Sequence, residues 1–501
     1  MDLLSAIQVG VSSAFQLQNL LYCFIGVLIG TLVGVLPGIG PAGAIAMLMP
    51  ITFTISSTSA IIMLAGIYYG AMYGGSTTSI LVNIPGEAAS VVTCIDGYQM
   101  ARRGRAGPAL GISAFGSFIA GVLGVIFLAI LAPSLANFAL SFGPPEYLSL
   151  MVLGMTLLIY LTSGSILKAL MMAAFGIILG CIGQDPISGN PRLIYGIEAL
   201  WDGVGLVPVI MGLFGISEVL INIEKGEEGR GEIYKTKIKG LLPSCEDWRR
   251  SAKPIARGSI VGFLVGVIPG GSAVLASFAS YALEKRFAKH PEEFGMGAIE
   301  GVAGPESANN SATMGCMVPL LTLGIPSNVV MAMLLSALMI HGTPPGPLLI
   351  NSHPEIFWGI IVSMFLGNLM LLALNLPLIG MWVQVLKIPY KVLFPLIILF
   401  CLIGVYSVIS SVTDIVIMLF FGWIGYLMKK YEYDGAPLVL AFVIGPLIET
   451  NLRQSLILSH GSFNIFFLRP ISLGCLLVAF ILPIFSLIPF LKKKREKIIT
   501  E

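Results

Sequence analysis

Charge is what this sequence has least of. Only 11% of its 501 residues are Asp, Glu, Lys or Arg, against about 25% in an ordinary soluble domain. Many apolar runs exceed the roughly 18 residues that suggest a membrane span. These runs are continuous, which argues against the short alternating strands of a β-barrel. Seven cysteines and four histidines (His290, His341, His353, His460) are scattered, with no Cys-x-x-Cys and no metal-ligand spacing. That argues against a disulfide framework and a zinc site. Walker A, Gly-x-Ser-x-Gly and His-Glu-x-x-His sequences are all missing, so an ATP-driven pump and a typical hydrolase lack their minimum parts. The chain is read as no enzyme, with no organic cofactor. No basic aromatic patch supports nucleic-acid binding. Met1–Gln16 has no Lys or Arg, so the charged start of a cleavable signal is absent.

What is present is a pair of matched breaks. Gly30–Gly40 reads Gly-Thr-Leu-Val-Gly-Val-Leu-Pro-Gly-Ile-Gly, and Gly262–Ser272 reads Gly-Phe-Leu-Val-Gly-Val-Ile-Pro-Gly-Gly-Ser. Seven of the first nine positions are identical, at an offset of 232. A Pro-Gly break in an apolar segment is tolerated only where protein or a water-filled cavity satisfies the freed backbone groups. Such breaks in corresponding positions of two halves point to a transporter's binding site. Pro37–Gly40 and Pro269–Ser272 are therefore read as two sides of one site.

The correspondence continues along the chain. Ile84-Pro85-Gly86 matches Ile325-Pro326-Ser327, Gly107-Pro108 matches Gly346-Pro347, Pro133 matches Pro377, and Pro145 matches Pro389. The organisation inferred is a first membrane repeat (1–224), a basic linker (225–254), a second repeat (255–457), and a C-terminal segment (458–501) with one extra span and a basic tail. Basic loops stay cytoplasmic, which places the linker and tail inside. Each basic loop of one half matches a loop without Lys or Arg in the other. The fold expected is an all-α polytopic membrane protein with two inverted-topology repeats, each opening with a re-entrant helical hairpin. Arg192, Arg453 and Arg469 alone fall outside. They are read as snorkelling from helix ends, or, more sharply, as a funnel attracting an anion.

Polar clusters lie beside the breaks. Tyr68–Ser79 precedes Asn83-Ile84-Pro85-Gly86-Glu87, and Pro305–Thr313 precedes Thr322–Asn328. The plainer reading of their small residues is helix–helix packing. The functional reading assigns substrate binding to Gly38, Gly40, Gly75, Ser76, Thr77, Gly270, Gly271, Ser272, Ser307, Asn309 and Asn310. Pro85, Gly86, Pro326 and Ser327 are structural breaks. Helix starts after the Pro-Gly pairs favour an oxyanion. Carbonyls near Pro37, Gly38, Pro269 and Gly270, with Glu306, would hold a coupling cation, Na⁺ or H⁺.

At these residues the chain resembles the large membrane subunit of the tripartite tricarboxylate transporters, the TctA-type family. The matching stretches are Gly34–Pro41, Tyr69–Gly75, Asn83–Glu87, Asp96–Tyr98, Gly258 through Gly270, Gly301 through Asn310, Leu323–Pro326 and Gly342–Pro347. Gly271-Ser272 and Ser327 depart slightly from the family pattern. The resemblance implies a bacterial inner-membrane secondary transporter with an elevator movement. It implies a small four-helix membrane partner (TctB-type), an extracytoplasmic solute-binding protein (TctC-type), and import of citrate or other di- and tricarboxylates driven by Na⁺ or H⁺. The competing readings are a binding-protein-independent organic-anion transporter or channel, and a membrane enzyme acting on lipid, for which no nucleophile or metal cluster is found.

Overall fold

The computed structural model describes residues 3–36, 40–161, 165–185, 187–225, 240–386, 390–409 and 411–487. The assignments made at Pro37 and Gly38, at linker residues 226–239 and in the basic tail 488–501 lie outside the described residues. The first half contains α1 (Leu3–Ala14), α2 (Leu17–Val35), α3 (Gly40–Thr52), α4 (Ser57–Val82), α5 (Val91–Arg102), α6 (Ala106–Ala139), α7 (Pro144–Leu161) and α8 (Ile166–Gly180). A small antiparallel pair follows, β1 (Gly183–Gln184) with β2 (Pro191–Arg192), then α9 (Leu206–Ile210) and α10 (Ser217–Lys225). The second half contains α11 (Cys245–Val267), α12 (Ala273–Phe287), α13 (Glu300–Gly315), α14 (Met317–Leu323), α15 (Val329–Ile340), α16 (Leu349–Ser352), α17 (Pro354–Asn375), α18 (Ile379–Val385), α19 (Tyr390–Ile409), α20 (Val412–Lys430) and α21 (Ala436–Leu458). Two last helices are α22 (Ile465–Leu468) and α23 (Pro470–Leu487). Among the described residues seven helices are long and apolar enough to cross a membrane. The chain is an all-α polytopic membrane protein.

Two helix pairs form the centre, and glycine spacing explains both. Lipid tails are as apolar as Leu, so helices associate in a membrane by close packing rather than by burial from water. Helix α2 presents Gly26, Gly30 and Gly34 to α4. A Cβ on Gly34 would lie 2.2 Å from the Ala71 carbonyl oxygen, and one on Gly74 2.2 Å from that of Thr31. Helix α11 presents Gly258, Gly262 and Gly266 to α13 in the same way. A Cβ on Gly262 would lie 2.2 Å from the Ala308 carbonyl oxygen. Within each pair the residue numbers rise together, so the two helices run parallel.

The inner helix of each pair is sealed from solvent. Every residue of Ser59–Val82 in α4 and of Gly301–Gly315 in α13 is buried. Each path then breaks in the same manner. Helix α4 ends on Asn83 at φ 58° and α14 ends on Gly324 at φ 68°, both left-handed. Each is followed by Ile-Pro, whose ring disfavours helical backbone at the preceding residue. The chain restarts on a side-chain cap: Glu87 accepts from the Ala89 N–H at 2.5 Å, and Asn328 from that of Met331 at 3.0 Å. Helix α23 docks on α7, where Ser149 and Ser472 share a hydrogen bond.

Candidate functional site

Helices α4 and α13 meet in opposite directions at the middle of the molecule. Ser76 of α4 donates to the Glu306 carboxylate of α13, while nearer the other end Tyr68 lies beside Thr313. Thr93 of α5 donates to the second Glu306 oxygen, and the Ser113 and Ser117 hydroxyls of α6 also face this carboxyl. Glu306 is 1% exposed. Among the described residues no Lys, Arg or His is paired with Glu306 or with its neighbour Glu87. Burying an ionised carboxylate alone is prohibitive. Here the hydroxyls take the place of water, and either a proton or a bound cation must supply the missing positive charge.

The asparagines of α13 complete the junction. Asn309 Nδ2 donates to Glu87 Oε1 at 3.3 Å. Asn310 Nδ2 donates to Ser117 Oγ at 2.8 Å and to the Glu306 carbonyl at 3.0 Å. Both Oδ1 atoms are buried without a hydrogen-bond partner. In this arrangement the asparagine donors are spent inside the protein, and the free atoms are acceptors. Ser307 faces α6 at Gly116, its hydroxyl likewise unpartnered.

The breaks press on these clusters. Gly86 stands so close to the α2 end that a Cβ there would lie 1.9 Å from the Gly34 carbonyl oxygen and 2.6 Å from Gly75 Cα. Gly75 in turn abuts Glu87 and Ser90. Thr78 Oγ1 donates to the Val35 carbonyl at 2.8 Å, tying the cluster to the end of α2. Gly40 opens α3 at φ +65°, with open space beside it. The turn between α11 and α12 packs on α7. Pro269 packs on Gly154 of α7, and Gly270, at φ +83°, on Leu158. Gly271 folds back on the carbonyls of Val265 and Ile268, and Ser272 caps α12 through the Leu275 N–H at 3.2 Å. Pro326 and Ser327 lie in the second break, with Ser327 fully buried. Asn328 beside them donates to Tyr68 Oη at 3.2 Å.

Two cavities adjoin this centre. A small one of about 10 Å³ is lined by Tyr73, Ser76, Thr77, Ser113 and Asn375, among others. A larger one of about 650 Å³ lies behind the second break, bounded by α7, α9, α15, α21 and Pro344–Pro347. Its size suits a small ligand, but its lining of Met151, Leu206, Leu335, Met339 and Leu447 has no charged residue. That chemistry does not suit a carboxylate.

Of the residues singled out in the sequence, the fold brings together Ser76, Glu306, Asn309 and Asn310. Thr93, Ser113, Ser117 and Asn375 were not singled out. Single Ser or Thr residues in apolar helices commonly bond the carbonyl four residues back, so they carry no local signal. Asp96 accepts the N–H groups of Gly295, Gly297 and Ala298 at 2.9, 2.7 and 2.9 Å, and the Tyr281 hydroxyl at 2.9 Å. The three outlying arginines present no free charge. Arg192 and Arg453 both pair with Asp185 and Glu449, and Arg469 pairs with Glu146.

Comparison with known proteins follows the same lines. The model of a family described as the tripartite tricarboxylate transporter TctA family matches residues 20–440. A protein of Agrobacterium vitis, named only as an uncharacterized 52.8 kDa protein in the TAR-I ttuC' 3' region, is 51% identical over 501 residues, covering 100% of this chain and 99% of its own. A second from the same organism, named as an uncharacterized protein in the TAR-II ttuC' 3' region, is 49% identical over 240 residues, 48% of this chain and 99% of its own. No solved structure matches.

Proposed function

This chain belongs to the tripartite tricarboxylate transporter TctA family, and from that we propose that it is the large permease subunit of a carboxylate importer in a bacterial inner membrane. It works with a small TctB-type membrane subunit and a TctC-type solute-binding protein, and a Na⁺ or H⁺ gradient drives uptake of citrate or another di- or tricarboxylate. One observation carries the reading: Glu306, a buried carboxylate without a basic partner, sits where the two halves of the chain meet. Intramembrane acids of this kind mark ion pathways.

The finer architecture is part of the proposal. The glycine ladders at Gly26/Gly30/Gly34 and Gly258/Gly262/Gly266, and the left-handed stops at Asn83 and Gly324, recur at the offsets of 232 and 241 read from the sequence. Together with opposite loop charges they support two inverted repeats, with an elevator movement of the hairpins and breaks against α7 and α21. Substrate carboxylates would meet the N–H groups opening α3 and α12, near Gly38, Gly40 and Gly270–Ser272. Hydroxyls of Thr77 and Ser307 would join them. Asn309 and Asn310 would turn their amides toward the anion when released from Glu87 and Ser117. The test is uptake of labelled citrate and dicarboxylates by vesicles holding this chain with both partners. Accumulation should require the binding protein and an imposed cation gradient. Uptake of no di- or tricarboxylate, with all three components present, would sink the reading.

A further inference from the structure

Several oxygens converge on the small cavity between α4, α6 and the end of α17, and no charged nitrogen lines it. Ser76 directs its hydroxyl proton to Glu306, with the Met72 carbonyl as second acceptor at 3.3 Å. Its lone pairs are left for the cavity. Ser113 lies on the opposite wall, near the same carboxyl. Asn375 spends its Nδ2 on the Leu371 carbonyl at 2.9 Å, and its Oδ1 has no partner. Tyr73 Oη is buried and unpartnered on the same wall. Tyr73 and Asn375 are 3% and 5% exposed. Unpaired buried oxygens of this sort ask for an occupant.

Size and charge narrow what that occupant is. About 10 Å³ admits one water-sized particle. No basic residue lines the space, so an anion would find no counter-charge there. Asn375 is the last residue of α17, so the negative end of that helix dipole points here. Glu306 adds a carboxylate one hydroxyl away. Neutral oxygens with a single carboxylate behind them match a monovalent cation. Ca²⁺ would demand six to eight oxygens, carboxylates among them.

We propose that this cavity is a sodium site, ligated by Ser76, Ser113, Tyr73 and Asn375, with Glu306 as the counter-charge behind the two serines. The proposal rests on the reading of this centre as the cation-coupling point, and it names the ion and its ligands.

Thermal unfolding of the purified full chain, without substrate or partners, tests it. Na⁺ should raise the midpoint saturably, and K⁺ or choline at equal ionic strength should not. Asn375→Leu and Ser76→Ala should each weaken the apparent Na⁺ affinity about tenfold or more. Asn375→Asp, which keeps an oxygen in place, should retain Na⁺ binding, and it guards against a variant that merely misfolds. A midpoint indifferent to Na⁺, one that follows pH alone, or a Na⁺ response unchanged in Asn375→Leu overturns the site. Because no substrate is used, that failure leaves carboxylate import standing. Intact Na⁺ binding with failed uptake does the reverse.

Discussion

Ser76 and Glu306 lie 230 residues apart in the chain and share a buried hydrogen bond at the crossing of α4 and α13. Each belongs to the polar cluster of its own half. The contact therefore joins the halves through a group whose protonation or ion pairing changes its charge. Glu306→Gln keeps the shape and removes the charge. Uptake should fall about tenfold or more, and the remainder should lose its dependence on the cation gradient. Initial rates against external Na⁺ and pH measure both.

The glycine ladders should tolerate no side chain. Gly262→Ala places a methyl 2.2 Å from a backbone oxygen that cannot turn away. Overpacking of this kind destabilises by about 1–3 kcal/mol. Gly474→Ala meets nothing within 4 Å and should stay within about 0.5 kcal/mol of the parent. Unfolding midpoints in detergent compare the two.

Asp96 gathers three backbone N–H groups of the other half. Asp96→Ala removes their acceptor and leaves the buried Ala298 N–H unpaired, at a loss of about 1–3 kcal/mol. The local signature is faster amide hydrogen exchange at Gly295, Gly297 and Ala298. Unchanged exchange there would refute the clamp.

Arg453 is already neutralised by Asp185 and Glu449. Arg453→Gln should leave the KM for the anion within about twofold, since a charge already balanced by two carboxylates adds little to the field that steers an anion. A large, salt-dependent rise in KM would revive the electrostatic funnel.

Acid should loosen the start of α11. Burial alone would raise the Asp247 carboxyl, but hydrogen bonds from Ser244 and the neighbouring Arg105 outweigh it and hold it below the usual range. A group whose pKa is depressed by folding adds stability above its unfolded value of about 3.9. That stability is lost as pH falls through the lower folded value. Asp247→Asn should flatten the acid limb of the midpoint-against-pH curve below about pH 4 and leave the neutral region parallel to the parent.

The sequence by itself determined the class of protein, the helix breaks and the matched motifs that flank them. Those properties are local: apolar length, Pro-Gly chemistry and four-residue glycine spacing are written in contiguous residues. It also singled out Glu306, because an acid in an apolar run stands out. Only the tertiary structure decided what surrounds that acid. Thr93, Ser113, Ser117 and Asn375 come from α5, α6 and α17, and nothing in their own helices distinguishes them from ordinary packing residues. The same holds for the direction of the asparagine amides and the pairing of the outlying arginines. The sign and reach of a buried polar group depend on which neighbours the fold places within hydrogen-bond distance, and chain order does not encode that locally.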